Sequence, residues 1–293
     1  MYYIVYGFLW LISLLPWFVI YGIADFVYFL LYYIFGYRKQ VVFSNLRIAF
    51  PEKSQEELVV IAKKFYHNFV DSFIETIKFL SEPREKMLAR LEFNDPIVEE
   101  LYKSGKNLQM HAMHNFSWEV ANLCFAAKTS YPFVVVYMPI SNKAIDKLFM
   151  KLRSKFGTLL VPATDFRNSF RKYSRGRYAL VLVADQNPGS PNTAYWAPCF
   201  GKITPFITGP EKGARLNNTA VVFCEFYKVK RGYYKLDVQL ATTNPRELPE
   251  GELTRQFVKH MEDCIRRRPD NFLWSHRRFK WDYLDVYAKN RIA

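Results

Sequence analysis

From Tyr2 to Phe35 the chain carries no Lys or Arg and a single acidic residue, Asp25, in an otherwise almost wholly apolar run. The run exceeds the ~20 residues that cross a bilayer as a helix. A cleavable secretory signal would set basic residues before a shorter apolar stretch and end at small residues, and neither feature is present. A buried core helix fits poorly with such length. Pro16 and Asp25 predict a kinked or partly re-entrant segment rather than one clean span. The Tyr and Trp residues through the run suit interfacial belts, and Arg38, Lys39 and Arg47 follow it directly. The positive-inside tendency then predicts the remainder on the cytoplasmic side. The expected organisation is an anchor over residues 1–37, a transmembrane helix or hairpin, ahead of a cytosol-facing domain over 38–293.

Half of the 293 residues are apolar and 18% are aromatic, which excludes a disordered chain and allows a large core. A net charge of +14 suits an anionic partner. Nucleic acid would require a reading module or a stacking sheet, and the sequence contains no such pattern, so none is expected as a partner. Cys124, Cys199, Cys224 and Cys264 form no CxxC pair, so reduced thiols are expected instead of a zinc or disulfide framework.

Beyond the anchor, Ser54 and Glu57 have the spacing of a capping box, and Leu58, Ala62, Phe65, Phe69, Phe73 and Ile77 follow at helical period. An amphipathic helix over about 54–80 is predicted. From about residue 105 strands and helices alternate. Strands are predicted at 107–113, 133–137, 159–161 and 178–184. Helices are predicted at 118–127, after an Asn142 cap, and at 252–267. Gly157 stands where a C-terminal cap belongs, and Lys230-Arg231-Gly232 reads as the turn of a hairpin between 220–228 and 233–240. This alternation predicts an α/β fold with a mixed, largely parallel sheet flanked by helices.

His114 and Glu119 lie five apart, a spacing that a regular helix would turn roughly 140° apart. They can meet if His114 ends a strand and Glu119 lies in the first turn of the next helix. An imidazole held by a carboxylate is a competent general base for a hydroxyl. Taken alone, the spacing fits a loop histidine beside a helix-capping glutamate better than a catalytic pair. His111 and His114 are three apart, which on a strand points them to opposite faces, so no metal site is expected.

Several segments together resemble one family. His114-Asn115-Phe116-Ser117-Trp118-Glu119 resembles the H-x-x-N-W-E block of the bacterial lipid A biosynthesis acyltransferases, with Ser117 where asparagine is commonest. Met150 to Gly157 resembles their basic helix ending in Phe-Gly. Ala184-Asp185-Gln186 matches A-D-Q. Thr204-Pro205-Phe206 and Thr208-Gly209-Pro210-Glu211-Lys212 match T-P-F and T-G-P-x-x. Leu273 to Lys280 matches L-W-x-H-R-R-W/F-K. The blocks occur in the family's order over nearly the whole chain.

The resemblance implies a glycerolipid-acyltransferase-like fold at the bacterial inner membrane. It implies transfer of a fatty acyl group to a hydroxyl of a hydroxyacyl chain on a lipid A precursor. The anchor, dyad and cations alone would equally suit an acyltransferase for a lysophospholipid, aminolipid or mannoside lipid, and anchor and charge alone a basic membrane-anchored binding protein. His114 would be the general base and Glu119 its orienter. The acyl donor would be acyl-acyl carrier protein or acyl-CoA, a co-substrate, with no cofactor. Arg153, Asp185, Gln186, Glu211, Arg277 and Arg278 would serve substrate binding. For Arg153 a solvated helix cation, and for Asp185 and Gln186 a strand-end turn, are the plainer readings. Helix capping explains Glu211 as well as catalysis does. The excess of cations suits an acidic carrier protein, a phosphorylated acceptor and anionic inner-membrane lipids.

Overall fold

The computed structural model describes residues 2–93 and 96–292. Pro16 breaks the N-terminal apolar run into α1 (Tyr2–Ser13) and α2 (Trp17–Phe29), the latter continued by a π-helical turn, Leu30–Ile34. The 18 residues Trp17–Ile34 are long and apolar enough to cross a membrane. The chain continues through α3 (Lys39–Ala49), α4 (Gln55–Lys78), α5 (Arg84–Leu88), β1 (Leu91–Glu92), α6 (Pro96–Lys103) and β2 (Leu108–Ala112). Then come α7 (Trp118–Lys128), β3 (Phe133–Tyr137), α8 (Lys143–Arg153), β4 (Leu159–Pro162), α9 (Phe166–Arg171) and β5 (Ala179–Val183). Last are β6 (Tyr195–Cys199), β7 (Lys202–Phe206), α10 (Gly209–Asn217), β8 (Ala220–Lys230), β9 (Tyr233–Thr242) and α11 (Glu252–Arg267).

Among the described residues, seven strands form one sheet in the order β1-β9-β8-β2-β5-β3-β4, and only β8–β9 is antiparallel. This is the mixed, largely parallel sheet expected from the alternation. Because β2 and β5 are central, both faces need apolar cover; β5 is wholly Ala, Leu and Val, whereas in β2 Gln109 and His111 alternate with Leu108, Met110 and Ala112. One face packs under α7 through Met110, Val222, Cys224 and Phe133 against Val120, Leu123 and Phe125. The other packs Val221 and Phe223 against Leu253 and Phe257 of α11, and Val134 and Leu180 against Phe170 of α9. His111 belongs to this second face, between the Phe223 and Phe257 rings. Burial lowers its pKa to about 3, so it remains neutral.

Local signals explain the helix starts. Ser54 accepts from the Glu57 amide while the Glu57 carboxylate accepts from the Ser54 amide, so the capping box forms. Asn142 Oδ1 accepts from the amides of Ala144 and Ile145. Gly157 is left-handed at φ 99°, in the turn after α8 rather than at its last residue. The β8–β9 turn uses Gly232 at φ 76°, where an added Cβ would overlap the Tyr21 hydroxyl.

Candidate active site

The parallel register aligns Ala112 with Val183. Two residues beyond each strand end stand His114 and Asp185, and His114 Nδ1 lies 2.7 Å from Asp185 Oδ1. Asp185 is buried, and His114 keeps 24% of its side chain exposed, on the cavity. Burial opposes the imidazolium, but the charge and hydrogen bond of Asp185 outweigh it and raise the His114 pKa above its ordinary value. Burial likewise opposes the carboxylate form of Asp185. The His114 charge and hydrogen bonds, with the positive field of Arg278, overcome that penalty and hold its pKa below the usual carboxylate range. Nδ1–H thus donates to Asp185, and Nε2 faces the Gln186 amide nitrogen at 3.2 Å.

The expectation that Glu119 orients His114 is corrected by this geometry. Glu119 does begin the helix after the His114 turn, in the first turn of α7. Its carboxylate is taken by Arg153 at the end of α8: Nε donates to both oxygens at 3.0 Å and Nη2 to Oε1 at 2.6 Å. Asn122 Nδ2 adds a bond to the Arg153 carbonyl. The pair therefore clamps α7 to α8 along one wall of the site.

The His114 ring opens onto a cavity of about 580 Å³ against the α7-covered face of the sheet. Its walls are Met110, Ala112, Val135, Val181, Val183 and Phe226 from the strands, with Trp118, Ala121 and Phe125 from α7 and Phe69 and Phe73 from α4. Polar groups gather at the strand-end rim: His114, Gln186, Glu119, Arg153, His276, Ser275 and Arg38. By strand register Phe133 lies deepest, level with the start of β2 (both pair with Ala179), and its ring packs on Phe125 at 4.6 Å between centroids. That level is ~20 Å from the His114 end at ~3.3 Å per residue.

A strap from the C-terminal part of the chain crosses the His114 turn. The Leu273 amide donates to the His114 carbonyl, the Phe116 amide donates to the Asn271 carbonyl, and Trp274 is buried beneath. Asn45 Nδ2 holds the strap through the carbonyls of Trp274 and His276. Neither Asn45 nor the cavity position of His276 was flagged by spacing in the sequence. Burial lowers the His276 pKa, and its Nε2 faces the Asn187 side-chain amide at 3.3 Å.

Three expected substrate contacts fall elsewhere. Glu211 is buried and its oxygens accept from the Gly251 amide, the Thr254 amide and the Thr254 hydroxyl, so it caps the start of α11 instead of lining the cavity. Arg278 is buried: Nη1 donates to Asn187 Oδ1 and the guanidinium lies 4.2 Å over the Phe206 ring. Arg277 points outward on the strap and does not line the cavity.

A sequence profile of the bacterial lipid A biosynthesis acyltransferases matches residues 1–281. The chain is 24% identical over 278 residues to a lipid A biosynthesis lauroyltransferase of Escherichia coli (strain K12), covering 94% of this chain and 89% of that protein. It is 22% identical over 240 residues to a lipid A biosynthesis acyltransferase 2 of Shigella flexneri, covering 78% and 74%. A lipid A biosynthesis palmitoleoyltransferase of Escherichia coli (strain K12) is 22% identical over 252 residues, covering 83% and 79%. A match over almost the whole chain and the acyl-transfer names of these relatives lead to one conclusion: this protein belongs to the bacterial lipid A biosynthesis acyltransferase family and is an acyltransferase.

Proposed function

We propose that the protein moves a fatty acyl group from a thioester donor, acyl-acyl carrier protein or acyl-CoA, to a hydroxyl of a hydroxyacyl chain on a lipid A precursor at the inner membrane. The observation that carries this reading is the His114–Asp185 pair at the polar end of a deep apolar cavity. His114 Nε2 takes the hydroxyl proton while Asp185 holds the ring and stabilises the imidazolium. The oxygen attacks the thioester carbonyl, and the tetrahedral intermediate collapses with release of the thiol, which receives the proton from His114. No covalent enzyme intermediate is needed. The amides of Trp118 and Glu119 at the start of α7, which begins four residues past His114, precede the first intrahelical bond, from Val120 to Ser117, and suit the developing oxyanion. Gln186 occupies the Nε2 position that the acceptor hydroxyl would take over.

The basic surface suits an acidic carrier protein and a phosphorylated acceptor, and the N-terminal helices suit attachment to the bilayer. The test is transfer by purified protein from labelled acyl-acyl carrier protein to a lipid A precursor, read by mass spectrometry. Wild type is expected to add one acyl group, and His114→Ala to add none. Acylation of a lysophospholipid but never of the disaccharide would overturn the acceptor; full activity in His114→Ala would overturn the mechanism.

A further inference from the structure

A helix that crosses a bilayer can touch a water-borne domain only near one end. α2 touches its domain all along its length. Trp17 Nε1 donates to Glu82, Tyr21 Oη donates to Glu75, Asp25 pairs with His67 and with Arg231, and Tyr32 packs on Tyr66. These contacts span ~22 Å at 1.5 Å per residue. Arg231 also pairs with Asp71, so a charged cluster lies on the inner side of α2. Carrying that cluster to mid-bilayer depth would cost several kcal/mol per charge. The buried stripe Ile20, Ala24, Tyr32 faces the domain. The opposite stripe is bare and apolar: Phe18 is 77% exposed, Phe26 63% and Ile34 61%. Lys39 sits over the Tyr32 ring at 3.9 Å and Lys151 over Tyr6 at 4.2 Å, cations at the rim of an apolar face.

The same face adjoins the mouth of the cavity. Tyr37, just past the π-helical turn, starts a chain of ring contacts through Phe69, Phe73 and Trp118 to His114, with centroid steps of 6.0, 5.0, 6.0 and 6.0 Å. Met138, 66% exposed and ahead of α8, also lines the cavity, and Lys151 of α8 reaches Tyr6 of α1. We propose that α1 and α2 lie in the plane of an anionic bilayer, one side sunk into the leaflet and the other docked on α4, so that the acceptor's acyl chains enter sideways along the Tyr37–Trp118 rings. Partition of the bare apolar stripe and attraction of the rim cations to anionic headgroups supply the attachment. The substrate's identity rests on the function proposed above; the in-plane geometry does not.

Single cysteines at positions 18, 26 and 34 of the full-length protein, with the four buried native cysteines left in place, carry a fluorophore in vesicles with phosphatidylglycerol and brominated lipids. All three probes are expected to be quenched most by the shallow bromine label. Deepest quenching at position 26 with shallow ends would mean that the helix crosses, and would overturn the proposal. The double variant Phe18→Asp/Phe26→Asp is expected to lose at least tenfold in vesicle binding and in turnover of acceptor embedded in vesicles, while acceptor dispersed in detergent is turned over as by wild type. Equal loss in both formats, or none in vesicles, would also overturn it. His114→Ala separates the two readings, since it is expected to bind vesicles normally while losing turnover in both formats.

Discussion

His114 and Asp185 face each other because each lies two residues past a registered pair of parallel strands, Ala112 on β2 and Val183 on β5. A sheet edge built this way sets the imidazole–carboxylate distance by backbone hydrogen bonds rather than by loop packing. The site inherits the rigidity of the sheet centre.

That link gives the first prediction. Because Asp185 raises the His114 pKa against the opposing effect of burial, the acid limb of the rate lies above the ordinary histidine value. Activity rises with pH as His114 loses its proton. In Asp185→Asn the raising charge is gone, burial dominates, and the limb moves to lower pH. The plateau falls by roughly 10²–10⁴-fold, since the ring loses its tautomer control. The sign for stability is opposite: a raised histidine pKa stabilises the fold fully below about 6.5 and loses that contribution as pH rises through the folded value. A pH–rate profile of the two proteins checks the first point and a pH series of denaturant melts the second.

Glu119 and Arg153 are expected to act through structure. Both are largely buried, and removing one partner leaves the other charge unpaired. Arg153→Ala is expected to destabilise by about 3–5 kcal/mol. Glu119→Gln, which retains one acceptor, should lose less stability and keep turnover well above that of His114→Ala. Thermal melts beside single-turnover rates separate the two roles; a Glu119→Gln protein as inactive as His114→Ala would restore Glu119 to the chemistry.

Glu211→Ala removes three hydrogen bonds at the buried start of α11. About 2–4 kcal/mol of stability is expected to go, at ~1–3 kcal/mol per stranded buried donor with partial relaxation. The kcat of the fraction that stays folded should match wild type. A changed KM for the acceptor with normal melting would return Glu211 to substrate binding.

Chain length should follow the cavity floor. Ala121 of α7 lines the cavity, and the Phe125–Phe133 pair closes its deep end. Ala121→Phe is expected to shift the preferred donor to a shorter chain and Phe133→Leu to a longer one. Competition among acyl donors of graded length, read by mass spectrometry of the product, measures both shifts.

Where local chemistry decides the structure, the sequence was legible. The capping box at Ser54, the Asn142 cap, the β-branched run at 133–137 and the Lys230-Arg231-Gly232 turn all lie in the expected elements. Less visible were partners chosen by the sheet. Glu119 drew attention because it is near His114 in sequence, whereas Asp185 is 71 residues away and meets it only through the β2–β5 register. The signal was present nonetheless, since both residues follow the ends of apolar strands. Glu211 suggested capping of its own helix and instead caps another, 40 residues on. The β6–β7 hairpin carries Pro198 and Pro205, residues that argue against a strand except at an edge, and this two-stranded ladder is all edge. Arg278 was expected to bind substrate but is buried against Phe206, which periodicity cannot reveal in a strap without regular structure.

The strap over the His114 turn comes from residues 271–274, which follow every strand of the sheet in the chain. A ribosome therefore releases the apolar helices before the sheet centre, and the sheet centre before this brace. His114 and Asp185 can thus meet across the sheet edge before the strap closes over their turn. Under the in-plane attachment proposed above, the apolar helices would reach a bilayer before that brace forms.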